Sequence, residues 1–374
     1  VKKYRFIQLD VFTNQPFAGN PLAVFPEAEG LDDEQMMKIA REMNLSETVF
    51  VLKPEQTIDS KQQAAAEEQT NPSKEETADS KQQAAEGRQH ATVNRDSASE
   101  AKEKVSIDIN SQSEIRNSKF PLRRLRIFTP AREIPFAGHP IAGTWNALAR
   151  EGIVPLPEGG NGWTRIYHEV GIGILPVAIE FKDGAPVQVV MTQGKFEILA
   201  EIEDGNEQAE IARALGRDRD DLDESLPIQV ISTGLSSLAV PIRSLADLGT
   251  CRVNSSLLGE LYTQCGATGC YAFSRETIEI GAARAHARLF APADNIAEDP
   301  ATGSASGALG GYLVHHGATG IEQTDGRYKF VIEQGDFMNR PSRINLNVSG
   351  KPGAVEEVKV GGPSVIVAHG EVYV

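Results

Sequence analysis

Arg126-Ile-Phe-Thr-Pro-Ala and Arg288-Leu-Phe-Ala-Pro-Ala are two copies of one pattern in a chain of 374 residues. Each reads as a strand closed by a proline turn, and each is soon followed by a glycine that opens a helix dense in small residues. The first helix is Gly138-His139-Pro140-Ile-Ala-Gly143-Thr-Trp-Asn-Ala-Leu-Ala; the second is Gly303-Ser304-Ala-Ser-Gly307-Ala-Leu-Gly310-Gly311-Tyr-Leu. Two strand–turn–helix units of one design imply two domains of common descent. Glycine inside a helix costs about 1 kcal/mol against alanine. Gly307, Gly310 and Gly311 in one helix therefore imply that something presses on its backbone, as a sheet curled around it would.

Outward from the repeat, alternation of apolar residues predicts strands at 4–12, 49–52, 187–191, 238–242, 344–348 and 365–367. A helix is expected from Asp32 or Asp33 to Met43, with Met36, Ile39, Ala40 and Met43 on its apolar face and Asn44 at its exit. The expected class is α+β: two pseudo-symmetric domains, each a curled, barrel-like, mostly antiparallel sheet around a central helix. The boundaries expected are 1–185 and 186–374, the last strand being a candidate to return to the first domain.

Residues 53–118 differ from the rest. They are rich in Ala, Glu, Gln, Lys and Ser, and Asp59-Ser-Lys-Gln-Gln-Ala-Ala recurs from Asp79. Such a composition buries too little apolar surface to offset its ordering entropy, so an insertion without a core of its own is expected. The alternation of Val105, Ile107 and Ile109 suggests strand near its end.

Fifty-two acidic against 37 basic residues give a net charge of −15, which argues against a nucleic-acid binder. No apolar run is long enough to span a membrane. No apolar stretch follows a basic one at the amino terminus, so the expected location is the cytoplasm. Cys251, Cys265 and Cys270 match neither a disulfide framework nor a zinc site. No nucleophile elbow, P-loop, dinucleotide fingerprint or His-Glu-x-x-His occurs, and His315-His316 is expected at an exposed helix end. No set of residues therefore reads as a metal site.

What remains is a small set of polar residues beside the repeat. Helix N-termini carry unpaired N–H groups and a positive dipole end, so Gly138–His139 and Gly303–Ser304 could hold a carboxylate between them; they could also be ordinary glycine-opened helices. His139, before Pro140, is either a neutral proton carrier or a loop histidine bonded to a carbonyl. Asp299 is a site carboxylate or a cap of the turn that precedes the second helix. Glu47 stands between helix and strand, as a surface residue or as a group at the mouth of a cleft.

In order along the chain, Leu9-Asp-Val-Phe-Thr, Phe17-Ala-Gly-Asn-Pro, Asn44-Leu-Ser-Glu-Thr, Arg126-Ile-Phe-Thr-Pro, Ile134-Pro-Phe-Ala-Gly-His-Pro, Ser232-Thr-Gly-Leu, Glu298-Asp-Pro-Ala-Thr-Gly-Ser-Ala, Gln334-Gly with Arg340-Pro-Ser, and Gly361-Gly resemble the PhzF-like family of isomerases and epimerases. The resemblance implies the diaminopimelate-epimerase-like fold and a cofactor-free homodimer acting on a small carboxylate. It casts Glu47 as the acid/base that moves a proton, with His139 and Asp299 assisting. Ser46, Gly138, Gly303, Ser304 and, more weakly, Asn20 are implied to bind substrate. Where the fold's racemases place two cysteines, this chain has His139 and Ser304, so a single carboxylate base is the better expectation. The implied reaction is isomerisation of trans-2,3-dihydro-3-hydroxyanthranilate. The alternatives are an epimerase or isomerase of another amino or hydroxy acid, or a binding relative without catalysis.

Overall fold

The computed structural model describes residues 1–55 and 122–374. Of the insertion expected at 53–118, only residues 53–55 fall among these; the rest, with Val105, Ile107 and Ile109, lies outside the described residues.

The described strands join into one 18-stranded sheet whose pairing repeats itself. In the first half, β1 (Lys3–Val11) is antiparallel to β2 (Asn20–Phe25). Helix α1 (Asp33–Met43) then leads to β3 (Glu47–Leu52), parallel to β2. β4 (Arg124–Phe128) is antiparallel to β3, and β5 (Glu133–Ile134) folds back on it. Helix α2 (Gly138–Arg150) follows. Then β6 (Gly162–Val170), parallel to β4, opens a meander with β7 (Gly173–Lys182) and β8 (Ala185–Thr192).

After β9 (Glu197–Glu201) and α3 (Gly205–Ala214), the second half retraces this path. β10 (Gln229–Ser232) is antiparallel to β11 (Ser236–Pro241). Two helices, α4 (Leu245–Gly249) and α5 (Ser255–Gln264), lead to β12 (Cys270–Ser274), parallel to β11. β13 (Ala283–Ala291) is antiparallel to β12, and β14 (Ile296–Asp299) folds back on it. Helix α6 (Gly303–His315) follows. β15 (Arg327–Gln334), parallel to β13, opens the meander with β16 (Ser342–Lys351) and β17 (Ala354–Gly362). The two meanders meet where β8 pairs with β17. The boundary expected at residue 185 thus falls on the first residue of the strand that forms this seam. One strand is exchanged in each direction: β9 pairs with β10, and β18 (Ser364–Tyr373) pairs with β1.

The repeated Arg-x-Phe has a physical basis in this pairing. Arg126 lies over the Phe128 ring at 5.2 Å, and Arg288 over Phe290 at 4.9 Å. Each guanidinium also forks onto a glutamate of the strand that folds back. Arg126 reaches Glu133 at 2.7 and 2.6 Å, and Arg288 reaches Glu298 at 2.8 and 2.7 Å. Both arginines therefore tie a proline turn shut with bidentate, charge-assisted bonds.

Each half-sheet curls around its helix. α2 touches β1, β2, β3, β7, β8 and β18; α6 touches β10, β11, β15, β16 and β17. Trp145 of α2 is fully buried in the core that both helices share, a burial worth about 2–3 kcal/mol. The glycines of α6 admit the sheet as expected: a Cβ on Gly307 would lie 2.8 Å from Val360, and one on Gly310 2.7 Å from Leu346. Outside the sheets, α1 covers the first half with Met36, Ile39 and Ala40, while α3, α4 and α5 cover the second. α1 starts at a capping box between Asp32 and Gln35 and stops at Asn44, whose left-handed φ of 49° turns the chain toward β3. His315 and His316 do end α6 but are half-buried rather than exposed, because His316 Nε2 packs 2.9 Å from Gln229 Oε1.

Candidate active site

Three breaks in secondary structure deliver the polar residues to one place. Gly19, with φ +64° and no room for a Cβ beside the Val11 carbonyl at 2.3 Å, turns the chain so that Asn20 starts β2. Asn44 sets Ser46 just ahead of β3 and Glu47 as its first residue. The proline turns after the two arginines lead to α2, where His139 is the second residue, and to Asp299 at the end of β14.

These side chains meet. Glu47 Oε2 is 3.1 Å from His139 Nε2, with the two side chains 13% and 7% exposed. The pair is in contact but not aligned, so neither atom has a hydrogen bond. Asn20, wholly buried, places Nδ2 2.9 Å from Asp299 Oδ1, 2.9 Å from the Ala301 carbonyl and 3.3 Å from His139 Nδ1. The Ala301 carbonyl can only accept, which fixes the amide orientation. His139 Nδ1 therefore faces an amide nitrogen that cannot accept and whose two N–H groups serve Asp299 and Ala301 first, so Nδ1 carries no proton and the ring proton of the neutral imidazole is on Nε2, toward Glu47.

Burial dominates the charges here. It pushes the Glu47 carboxyl up to about 8, with the charge of Asp299 adding to the effect. It pushes Asp299 up to about 6, against the hydrogen bonds from Thr302 and Asn20 and with help from Glu298. It pushes His139 down to about 3, so the imidazole is neutral. A glutamate that titrates near neutrality beside a neutral imidazole is suited to exchanging a proton with a bound molecule.

Both helix starts are uncapped by side chains. The N-cap of α2 is Ala137, which has no oxygen to offer. That of α6 is Thr302, whose hydroxyl instead donates to Asp299 Oδ2. The two starts abut: a Cβ on Gly138 would lie 4.0 Å from the Ser304 amide nitrogen. Four amides of Gly138, His139, Gly303 and Ser304 thus belong to two positive helix ends that face one another. Ser46 and Ser304 are both half-buried beside these residues in the chain. Asp299 is no helix cap, since α6 begins only at Gly303.

The structure adds residues that sequence reading passed over. Thr302 N–H and Tyr271 OH both donate to Gln334 Oε1, at 3.1 and 2.9 Å, and Gln334 Nε2 donates to the Asp299 carbonyl at 2.7 Å. No local spacing joins these positions; Thr302 and Gln334 lie within motifs of the family resemblance, which gave them no role, and Tyr271 lies in none. A cavity of about 680 Å³ elsewhere in the second half, whose lining includes Glu201, Glu203, Asp223 and Glu224 against one arginine, Arg219, and His316, shares no residue with this cluster. Its acidic wall disfavours an anion. Among the described residues no group of three or more His, Cys, Asp and Glu is arranged to hold a metal, and no helix is long and apolar enough to cross a membrane.

The model of one family, described as phenazine biosynthesis-like protein, matches residues 9–65 and 115–370. The chain belongs to the phenazine biosynthesis-like family. An uncharacterized isomerase of Clostridium acetobutylicum is 32% identical over 99% of this chain and 98% of its own. The trans-2,3-dihydro-3-hydroxyanthranilate isomerase of Pseudomonas aeruginosa is 29% identical over 99% of both chains. A PhzF-family phenazine biosynthesis protein of Bacillus anthracis has the same fold, with a TM-score of 0.72 at 23% identity over the whole of both chains. This phenazine biosynthesis-like protein is an isomerase with a small-molecule substrate, built on the α+β fold of that family.

Proposed function

We propose that the protein moves a proton between two carbons of a small carboxylate, with Glu47 as the single base. The observation that carries this reading is the buried Glu47 carboxyl, raised to about 8, facing the neutral Nε2–H of His139. Glu47 takes a proton from one carbon of the substrate as a double bond shifts, and returns it to another carbon; no electrons are gained or lost. At pH 7 about one molecule in ten has Glu47 ionised, and a conjugate acid near 8 gives the proton back readily. When Glu47 is charged, a small turn of the pair brings His139 Nε2–H into line with the carboxylate, and Asn20, bonded to Asp299, lies against His139 Nδ1 and keeps the ring in that tautomer.

The facing amides of Gly138 and Gly303, with the hydroxyls of Ser46 and Ser304, hold the substrate carboxylate. That leaves the reacting carbons toward Glu47. The substrate we propose is trans-2,3-dihydro-3-hydroxyanthranilate or a closely similar cyclic amino acid, in line with the relative from Pseudomonas aeruginosa. We place the two domains on either side of this site, and take a cytoplasmic homodimer from the resemblance in sequence.

The test is the fate of that proton. Substrate deuterated at the carbon that loses it, incubated in H2O, should give isomerised product carrying the deuterium at the carbon that receives it. Glu47→Gln should slow this by about 100-fold or more, the usual contribution of a positioned acid/base. A variant keeping more than a tenth of the wild-type rate would remove Glu47 from the chemistry.

A further inference from the structure

Behind Asp299 lies a chain of buried groups whose donors all point one way. Tyr271, Ser306 and Gln334 are each 0% exposed. The amide of Gln334 has only one possible orientation. The Thr302 N–H can only donate, so it must face Oε1, and the Asp299 carbonyl can only accept, so it must face Nε2. Oε1 then also takes the Tyr271 hydroxyl proton at 2.9 Å. With its proton committed, Tyr271 is left to accept from Ser306, 2.7 Å away on α6. Nε2 of Gln334 donates to the Thr302 hydroxyl oxygen at 3.1 Å, which leaves the Thr302 proton for Asp299 Oδ2. From the other side Asn20 donates to Oδ1.

We propose that Gln334, clamped by Tyr271, is a positioning residue: it turns the Thr302 hydroxyl into an obligate donor to Asp299 and thereby holds Asp299 as the acceptor that orients Asn20 and His139. It touches no reacting atom. Its effect reaches Glu47 in sequence through Thr302, Asp299, Asn20 and His139. The same bond takes the Thr302 hydroxyl away from the helix start, which keeps the α6 amides uncapped. Burial pushes Asp299 up to about 6, and the hydrogen bonds from Thr302 and Asn20 act against it. The other charged or titratable groups that bear on Asp299 are Glu298, forked onto Arg288, together with Glu47, Tyr271 and His139 behind Asn20.

The inference rests on the reading of Asp299 as part of the site, so its test is made without substrate. The Asp299 carboxyl is titrated by 13C NMR in the ligand-free, full-length protein labelled at aspartate Cγ. Thr302→Val deletes the donor outright and should raise the Asp299 midpoint by about one unit, the scale of a lost hydrogen bond to the charged form. Gln334→Met should raise it in the same direction, and the double variant should rise no further than Thr302→Val alone. Gln334→Asn, too short for its amide to reach Thr302, should match Gln334→Met and serves if the methionine variant does not fold. An unshifted midpoint in a folded Gln334 variant while Thr302→Val shifts, or additive shifts in the double variant, would overturn the proposal. Absence of turnover in every protein, wild type included, would count against the proposed reaction and leave this titration unaffected.

Discussion

Nε2 of His139 and Oε2 of Glu47 lie 3.1 Å apart in a buried site, in contact but out of hydrogen-bonding alignment. A neutral imidazole so placed leaves the glutamate without a bonded partner, and burial then controls its proton. Glu47 acts as a base only when ionised, so kcat/KM should climb with pH through a midpoint near 8, the value to which burial pushes it, and level off about a unit higher. The measurement is a pH–rate profile on trans-2,3-dihydro-3-hydroxyanthranilate. A limb centred near 4.5, the ordinary glutamate value, would exclude a buried Glu47 as the titrating base.

The same burial should make Glu47 costly to the fold. Its folded value of about 8 exceeds the ordinary 4.5, so the folded state keeps a proton that the unfolded chain loses. Stability from this group is complete below about 4.5 and is lost as pH rises through 8. Glu47→Gln cannot ionise, so its stability relative to wild type should improve by on the order of 2–4 kcal/mol between pH 4 and pH 9. Urea midpoints at the two pH values measure this, and a constant difference would contradict it.

His168 offers a test of opposite sign outside the site. It is 1% exposed on β6, with neither ring nitrogen hydrogen-bonded, and burial pushes it down to about 3. The folded state therefore binds fewer protons than the unfolded chain between 3 and 6.5, and stability is lost as pH falls through that window. His168→Leu, which removes two unpaired polar atoms, should gain about 2 kcal/mol on wild type between pH 7 and pH 4.5. Parallel pH curves in denaturant would show that His168 finds proton partners the structure does not contain.

Gly307 tests the wrap of the sheet around α6. Alanine there would gain about 1 kcal/mol of helix propensity but set a methyl 2.8 Å from Val360 and 3.2 Å from Gln193. Val360 is β-branched and held in β17, so it has few rotamers with which to yield. We expect Gly307→Ala to lose about 1–2 kcal/mol net, the lower part of the overpacking range. A stabilised variant, read by equilibrium unfolding, would mean that β17 has slack.

What could be read from the sequence was local. Arg126 and Arg288 each stack on the phenylalanine two residues ahead, within one strand, so the repeat shows at fixed spacing. Their glutamate partners stand 7 and 10 residues away, so no common offset reveals them. The meeting of His139 and Asp299 was implied by the two helix starts of the repeat, whereas Asn20 and Glu47 were joined to them only by the family resemblance. Asp299 looked like a cap because Asp before Pro commonly is one; the cap position went to Thr302, whose hydroxyl turned back to Asp299. Gln334 and Tyr271 meet Thr302 and Ser306 only through the curl of the second half-sheet, across 32 and 35 positions. No periodicity carries such contacts. The half-burial of the two histidines ending α6 was missed for a similar reason, since Gln229 on β10 lies against His316 and the Phe196 ring against His315.

The exchange of β9 and β18 constrains how such a chain could have arisen. Cut after β9, a single copy of the repeat would pair its first strand on one side only and leave the other edge bare, and its last strand would project away unpaired. Two such copies satisfy each other by trading last strands, which is a domain-swapped dimer with a two-fold axis. Joining the two copies end to end preserves every pairing and turns an association that depends on concentration into one that does not. Fusion also frees the copies to diverge at the axis, one carrying a histidine and the other a serine at the same helix position. A symmetric dimer could not have held that asymmetry.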